Sequence, residues 1–164
     1  MSCLYNGICG EKWCVVHHTP TKGGGFMTGE YRHSLDSKGR VFIPAKLREE
    51  LGDVFYVTLS MDRCLCVYSS QSWQSFSDKV NEMSYVQQRK MRPLFAFAAK
   101  CELDAQGRAL IPAHLREYAG LTKNVAVLGC NNHAELWDED TWNEIHDAEM
   151  SPENIASVME ELRF

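Results

Sequence analysis

The chain is 164 residues long, 45% hydrophobic and 24% charged, the composition of a globular chain and not a disordered one, and its length suits one domain or two small ones. No apolar run approaches the roughly 20 residues of a membrane helix, and Met1 to Phe26 lacks the apolar core of a signal peptide, so a cytoplasmic protein is expected. The net charge of −5 conceals a division: residues 138–164 hold nine acids and one base, leaving +3 on residues 1–137, a basic body able to meet a polyanion.

Residues 1–26 hold Cys3, Cys9 and Cys14, the pair His17 and His18, and the run Gly23-Gly24-Gly25. The cysteines are separated by five and four residues and the histidines are adjacent, a poor fit to the paired spacing of structural zinc sites, so no metal is expected. With seven cysteines and no export signal, free thiols are expected. Lys22-Gly-Gly-Gly-Phe-Met27 can be encoded by a purine-rich stretch that resembles a bacterial ribosome-binding site ahead of a start codon. Residues 1–26 are therefore read as a non-native extension with Met27 as the start; the competing reading is a flexible arm. The mass of the native protein decides between them.

Regular patterning begins after Met27. His33 and Leu35 alternate with Arg32 and Ser34 as a half-buried strand. Asp36-Ser37-Lys38-Gly39 reads as a turn, because Asp can accept from the backbone ahead of it and Gly supplies positive φ. A second strand puts Val41 and Ile43 inward and Arg40 on the opposite face. Pro44 suits the first position of a helix over 45–51, and Gly52 suits its left-handed cap. Val54 to Tyr68 is β-rich, with Cys64 and Cys66 on one face as small buried hydrophobes. Ser70 or a neighbour caps a helix whose single apolar stripe is Trp73, Phe76, Val80, Met83 and Val86. Arg89-Lys90-Met91-Arg92 and Pro93 mark a join.

Beyond the join the plan starts again. Leu35-Asp-Ser-Lys-Gly-Arg-Val-Phe-Ile-Pro-Ala-Lys-Leu-Arg-Glu49 returns as Leu103-Asp-Ala-Gln-Gly-Arg-Ala-Leu-Ile-Pro-Ala-His-Leu-Arg-Glu117, with ten of fifteen positions identical. After a one-residue insertion Cys66-Val67-Tyr68 matches Glu135-Leu136-Trp137, and Trp73 matches Trp142. The chain is a tandem duplication. Pro112, the helix 113–119, Gly120 and the β-rich run Val125 to Trp137 repeat the first unit's features. Ser151-Pro152 opens a final acidic helix, Glu153 to Leu162.

The doubled Leu-Asp-x-x-Gly-Arg-x-x-Ile-Pro-Ala motif, with Gly120-Leu121-Thr122-Lys123 and the segment Glu135-Leu136-Trp137-Asp138 to Thr141-Trp142, resembles the MraZ family of the SpoVT/AbrB-like superfamily. The resemblance runs from about Met27 to the C-terminus. It implies an α+β fold of two tandem AbrB-like swapped-hairpin β-barrel units, 27–92 and 93–164, forming an intramolecular pseudo-dimer with flanking helices. It also implies a sequence-specific DNA-binding regulator, usually a repressor, acting on short direct repeats in the promoter of its own division and cell-wall gene cluster. Double-stranded DNA and a ring-shaped homo-oligomer, typically an octamer, are the implied partners, and the cytoplasm at the nucleoid the implied location. No cofactor, membrane or catalytic residue is expected.

A hairpin tip can enter the major groove, where an arginine can donate a bidentate pair to guanine. Arg40 and Lys38 are expected to dominate DNA contact, Arg108 to come second because Gln106 replaces the lysine, and Arg32 to reach the backbone. Asp36, Gly39, Asp104 and Gly107 are assigned to turn architecture. The competing view makes Arg40 and Arg108 structural partners of Asp36 and Asp104. Arg48, Glu49, Arg116 and Glu117 are expected to make surface ion pairs. Two other functions are weighed: an AbrB-type antitoxin with a toxin partner, and an enzyme using Asp36 and His33 with Asp104 and Cys101. Two motifs with an ordered second half disfavour the antitoxin. The pairing of His33 with Cys101 as inward fillers, and the lack of any nucleophile elbow or phosphate loop, disfavour the enzyme.

Overall fold

In the computed structural model, which describes residues 26–163, each unit becomes a strand, a turn, a short strand, a helix and a hairpin. The elements in order are β1 (Met27–Ser34), β2 (Arg40–Phe42), α1 (Ala45–Leu51), β3 (Val54–Leu59), β4 (Leu65–Ser69), α2 (Ser70–Asn81) and α3 (Tyr85–Ala96). The second unit supplies β5 (Ala99–Glu102), β6 (Arg108–Leu110), α4 (Ala113–Tyr118), β7 (Asn124–Asn131), β8 (His133–Asp138), α5 (Glu139–Glu149) and α6 (Pro152–Glu161). The zinc reading of Cys3, Cys9, Cys14, His17 and His18 lies outside the described residues, as do residues 1–25 of the extension. Among the described residues no helix is long and apolar enough to cross a membrane.

The two units are interleaved. Six strands run in the order β1-β7-β8-β4-β3-β5, all antiparallel, so the first strand of each unit lies on the third strand of the other. In the middle β4 pairs with β8, Cys66 opposite Glu135. Those two positions are equivalents in the duplication, so an internal pseudo-twofold axis passes between them. β2 and β6 form a separate two-stranded ribbon, Val41 opposite Ala109.

The sheet is open, which corrects the expectation of closed β-barrel units. At Asp36 and Asp104 the chain leaves β1 and β5 for the ribbon, whose strands of three residues form a sheet separate from the six-stranded one. β1 and β5 remain edges, carrying Glu30, Arg32, Lys100 and Glu102, charged side chains that discourage pairing with another chain.

The main core lies between the sheet, the ribbon and the two short helices. It joins Val41, Ile43, Leu47, Phe55, Val57, Leu65 and Val67 of the first unit to Ala109, Ile111, Leu115, Val125, Val127 and Leu136 of the second. Neither unit could bury this surface alone. A smaller cluster on the other face holds Cys64, Ala126, Leu128, Trp137 and Trp142.

Several local expectations need correction. Pro44 and Pro112 are N-caps, one position before the first helical residue, with extended ψ of 139° and 146°. Gly52 has φ 76° but ψ −176°, so it is no left-handed helical cap, whereas Gly120, just past the C-cap Ala119, has the expected positive φ of 63°. The apolar stripe of Trp73 to Val86 is not one helix. α2 stops at Asn81, and Ser84 starts α3, its N–H donating to Gln87 Oε1 at 3.0 Å. Val86 is thereby turned out to 68% exposure, while Trp73 and Phe76 stack with Tyr56, Tyr68 and Phe95. The Arg89–Pro93 join is itself helical, with Pro93 inside the last turn of α3. As expected of Ser70 or a neighbour, a serine caps α2: it is Ser69, whose hydroxyl accepts from Ser72 N at 3.1 Å. The acidic tail forms two helices, the second capped by Ser151.

Candidate nucleic-acid interface

Each turn is built by its aspartate. Asp36 Oδ1 accepts from the backbone N–H groups of Lys38 and Arg40, both at 2.9 Å, and Asp104 Oδ1 accepts from Gln106 at 2.9 Å and Arg108 at 3.0 Å. Gly39 and Gly107 close the turns at φ 79° and 76°, each donating to the aspartate carbonyl at 2.9 Å. These bonds span at most four residues, which is why the turn is legible in the sequence.

The second carboxylate oxygens do something less local. Asp36 Oδ2 accepts from Arg40 Nε at 2.7 Å and pairs with its NH2 at 2.7 Å, and Asp104 Oδ2 takes Arg108 Nε at 2.9 Å and NH2 at 2.8 Å. Across the axis Arg40 NH1 reaches Asp104 at 3.4 Å, and Arg108 NH1 reaches Asp36 at 3.6 Å. Two acids and two arginines thus form a reciprocal cluster that locks one unit's turn to the other. The ribbon continues it: Ile43 N donates to Gly107 O and Ile111 N to Gly39 O, both at 3.0 Å. Arg108's side-chain and backbone hydrogen bonds hold Asp104 at about 2, and Arg40 likewise holds Asp36 below the usual carboxylate range.

Arg48 and Arg116 are not surface ion-pair residues, which corrects the sequence expectation. Each crosses to the opposite unit and lays its guanidinium on the turn glycine there. A Cβ on Gly107 would lie 2.5 Å from Arg48 NH1, and one on Gly39 would lie 2.7 Å from Arg116 Cζ. Arg48 stands over the Phe42 ring at 5.2 Å, with its Nε buried and unbonded, and Arg116 Nε donates to Ile111 O at 3.0 Å. Only glycine leaves room for these cations.

The other predicted residues fall as follows. Lys38 is exposed at the tip of the first turn, with no ion pair among the described residues. Arg32 is held away from the turns, paired with Glu30 and with Glu139 at 3.2 Å. His33 packs half-buried on Phe42 with ring centroids 5.1 Å apart, and burial lowers its pKa, while Cys101 is buried. Asp36 spends its oxygens on four donors and makes no hydrogen bond to His33. The arrangement brings Lys38, Arg40, Arg48, Arg108 and Arg116 together around two carboxylates, an excess of positive charge suited to a polyanion.

Known proteins are similar to this chain in sequence. The family model described as "MraZ protein, putative antitoxin-like" matches twice, over residues 26–92 and 94–161. The chain belongs to the MraZ family. Proteins named Transcriptional regulator MraZ are similar to it over most of its length. The one from Carboxydothermus hydrogenoformans is 44% identical over 80% of this chain and 94% of its own. That from Caldicellulosiruptor saccharolyticus is 44% identical over 83% and 98%, and that from Halothermothrix orenii 45% identical over 82% and 96%. In this MraZ family member the signal that could have found Arg48 and Arg116 was present: the same arginine stands at the same place in both copies, beside a glycine repeated in both turns.

Proposed function

We propose that this chain is a sequence-specific DNA-binding transcriptional regulator, a repressor acting on short direct repeats in the promoter of its own division and cell-wall gene cluster. The observation that carries the reading is the reciprocal Asp36–Arg40–Asp104–Arg108 cluster, which gathers the arginines that follow two turns at opposite ends of the ribbon onto one of its faces. A guanidinium has five N–H donors. Arg40 gives three to carboxylates, through Nε, NH1 and NH2, and keeps two. Those two are what a guanine edge requires, and the clamp removes the rotamer entropy of finding it. Arg108 is held in the same way. Lys38 supplies a phosphate contact, and Arg32 joins only by exchanging its acids for phosphate.

The exchange of first strands supports reading the chain as a swapped-hairpin pseudo-dimer, one chain doing what two copies of a single-motif protein would do. A ring-shaped homo-oligomer, an octamer, would set many such turns over the repeats and multiply a weak interaction. The charge pattern supports self-assembly: α3 exposes Arg89, Lys90 and Arg92 beside Tyr85 and Val86, and α6 exposes Glu153, Glu160 and Glu161 beside Ile155, Val158 and Met159. We place the protein in the cytoplasm at the nucleoid.

The test is binding to a fragment from upstream of its own gene by wild type, Arg40→Ala and Lys38→Ala, each over a salt series. Lys38→Ala weakens binding to all sequences alike and lowers the salt slope by about 0.9 for each phosphate it no longer neutralises. Arg40→Ala loses preference for the promoter over unrelated DNA. Wild type with no such preference refutes the proposal. A toxin co-purifying in fixed stoichiometry would favour the antitoxin reading that the family description keeps open.

A further inference from the structure

At the pseudo-twofold axis, on the sheet face away from the main core, three metal-ligating side chains converge. Cys66 on β4 stands opposite Glu135 on β8, and His133 lies two residues before Glu135 on the same face. The ligand atoms of the three lie within 4.8 Å of one another. The His133 Nε2 to Glu135 Oε1 separation is 3.2 Å. Bonds of about 2.0 Å to N and O and 2.3 Å to S place tetrahedral ligands roughly 3.3–3.8 Å apart, so a small inward shift of the thiolate closes the set.

The outer atoms of the cluster are already anchored. Asn132 Oδ1 lies 2.9 Å from His133 Nδ1, which fixes the proton there and leaves Nε2 to face the cluster. Trp137 Nε1 donates to Glu135 Oε2 at 2.8 Å, leaving Oε1 facing inward. Such partners behind a histidine and a carboxylate orient metal ligands. Cys66 is 8% exposed, and Glu135 lines a cavity of about 550 Å³ shared with Cys130, Trp137 and Trp142, a route for an ion and for a water as fourth ligand. A mixed S, N and O ligand set suits zinc better than magnesium or calcium.

We propose that Cys66, His133 and Glu135 bind one Zn(II) ion on the internal axis, clamping the first unit's β4 to the second unit's β8. Binding expels the Cys66 thiol proton and any proton on His133 Nε2 to solvent. Strand alternation alone reads Cys66 as a buried hydrophobe, because its partners lie 67 and 69 residues away.

The experiment uses the full chain, stripped with chelator and titrated with Co(II) and then Zn(II). Expected are one equivalent of Co(II) with an intense visible d–d envelope and a near-ultraviolet thiolate-to-cobalt band, bleached by Zn(II). Cys66→Ser abolishes the thiolate band, His133→Asn lowers affinity at least tenfold, and a Cys3→Ser, Cys9→Ser, Cys14→Ser variant keeps both spectrum and stoichiometry. Zn(II) also raises the melting temperature of wild type and of the triple variant but not of His133→Asn, a check that stands even where Cys66→Ser folds poorly. Absence of a thiolate band in wild type, or a band missing from the triple variant and kept in Cys66→Ser, overturns the proposal.

Discussion

Replacing Gly107 by alanine tests the interlock of the two units directly. At φ 76° an alanine sits in the left-handed region, which costs about 1–2 kcal/mol whatever surrounds it. The new Cβ would also lie 2.5 Å from Arg48 NH1 and 2.9 Å from its Cζ, so the guanidinium must leave. It then gives up its place over the Phe42 ring, worth about 0.5–1 kcal/mol. The total is about 1.5–3 kcal/mol. Gly120 serves as the control: its φ is 63° and nothing lies within 4 Å of an added Cβ, so Gly120→Ala bears the backbone cost alone. Denaturant unfolding at fixed protein concentration should show Gly107→Ala less stable than Gly120→Ala by about 0.5–1 kcal/mol. In an Arg48→Ala background that excess should vanish, since the cation has already gone. Equal costs for the two glycines, or an excess unchanged by Arg48→Ala, would refute the claim that Arg48 is seated on the opposite turn.

Two further outcomes follow from the same geometry. Because Asp104 is held at about 2 and Asp36 is also depressed, the carboxylate cluster stabilises the fold above the ordinary carboxylate range and fades as pH falls toward 2. Unfolding midpoints should therefore drop between about pH 5 and pH 2, less steeply in Asp104→Asn; equal slopes would exclude the cluster as the cause. Phe55→Ala, at a fully buried site where β3 meets β5, should cost about 3–5 kcal/mol and, because both units share one core, weaken the whole transition without leaving a folded half. A biphasic unfolding curve would show instead that the units are independent.

Asp36, Gly39 and Arg40 specify their turn through hydrogen bonds four residues long at most, and the duplication wrote the same instruction at Asp104, Gly107 and Arg108. Strand alternation and helix punctuation are equally local, so the chain order of the elements is legible in the sequence, with an error of one position at Pro44 and of backbone conformation at Gly52. The break between α2 and α3 escapes such a reading because an apolar stripe is continuous in periodicity, whereas Ser84 and Gln87 interrupt it by capping.

Partnership is the part that local pattern does not carry. Alternation tells which face of β1 is buried, but not that its partner is β7, nor that β5 crosses to β3. In two units built on one pattern the same hydrophobic alternation permits pairing within or between copies, and only burial of the common core selects the second. From that selection follow the locking of Arg40 to Asp104, the seating of Arg48 and Arg116 on glycines of the opposite unit, and the meeting of Cys66 with His133 and Glu135. The repeated unit and its turn chemistry are written along the chain, because they depend on residues a few positions apart. Which cations gather, and which thiol meets which imidazole, depends on residues that only folding brings close.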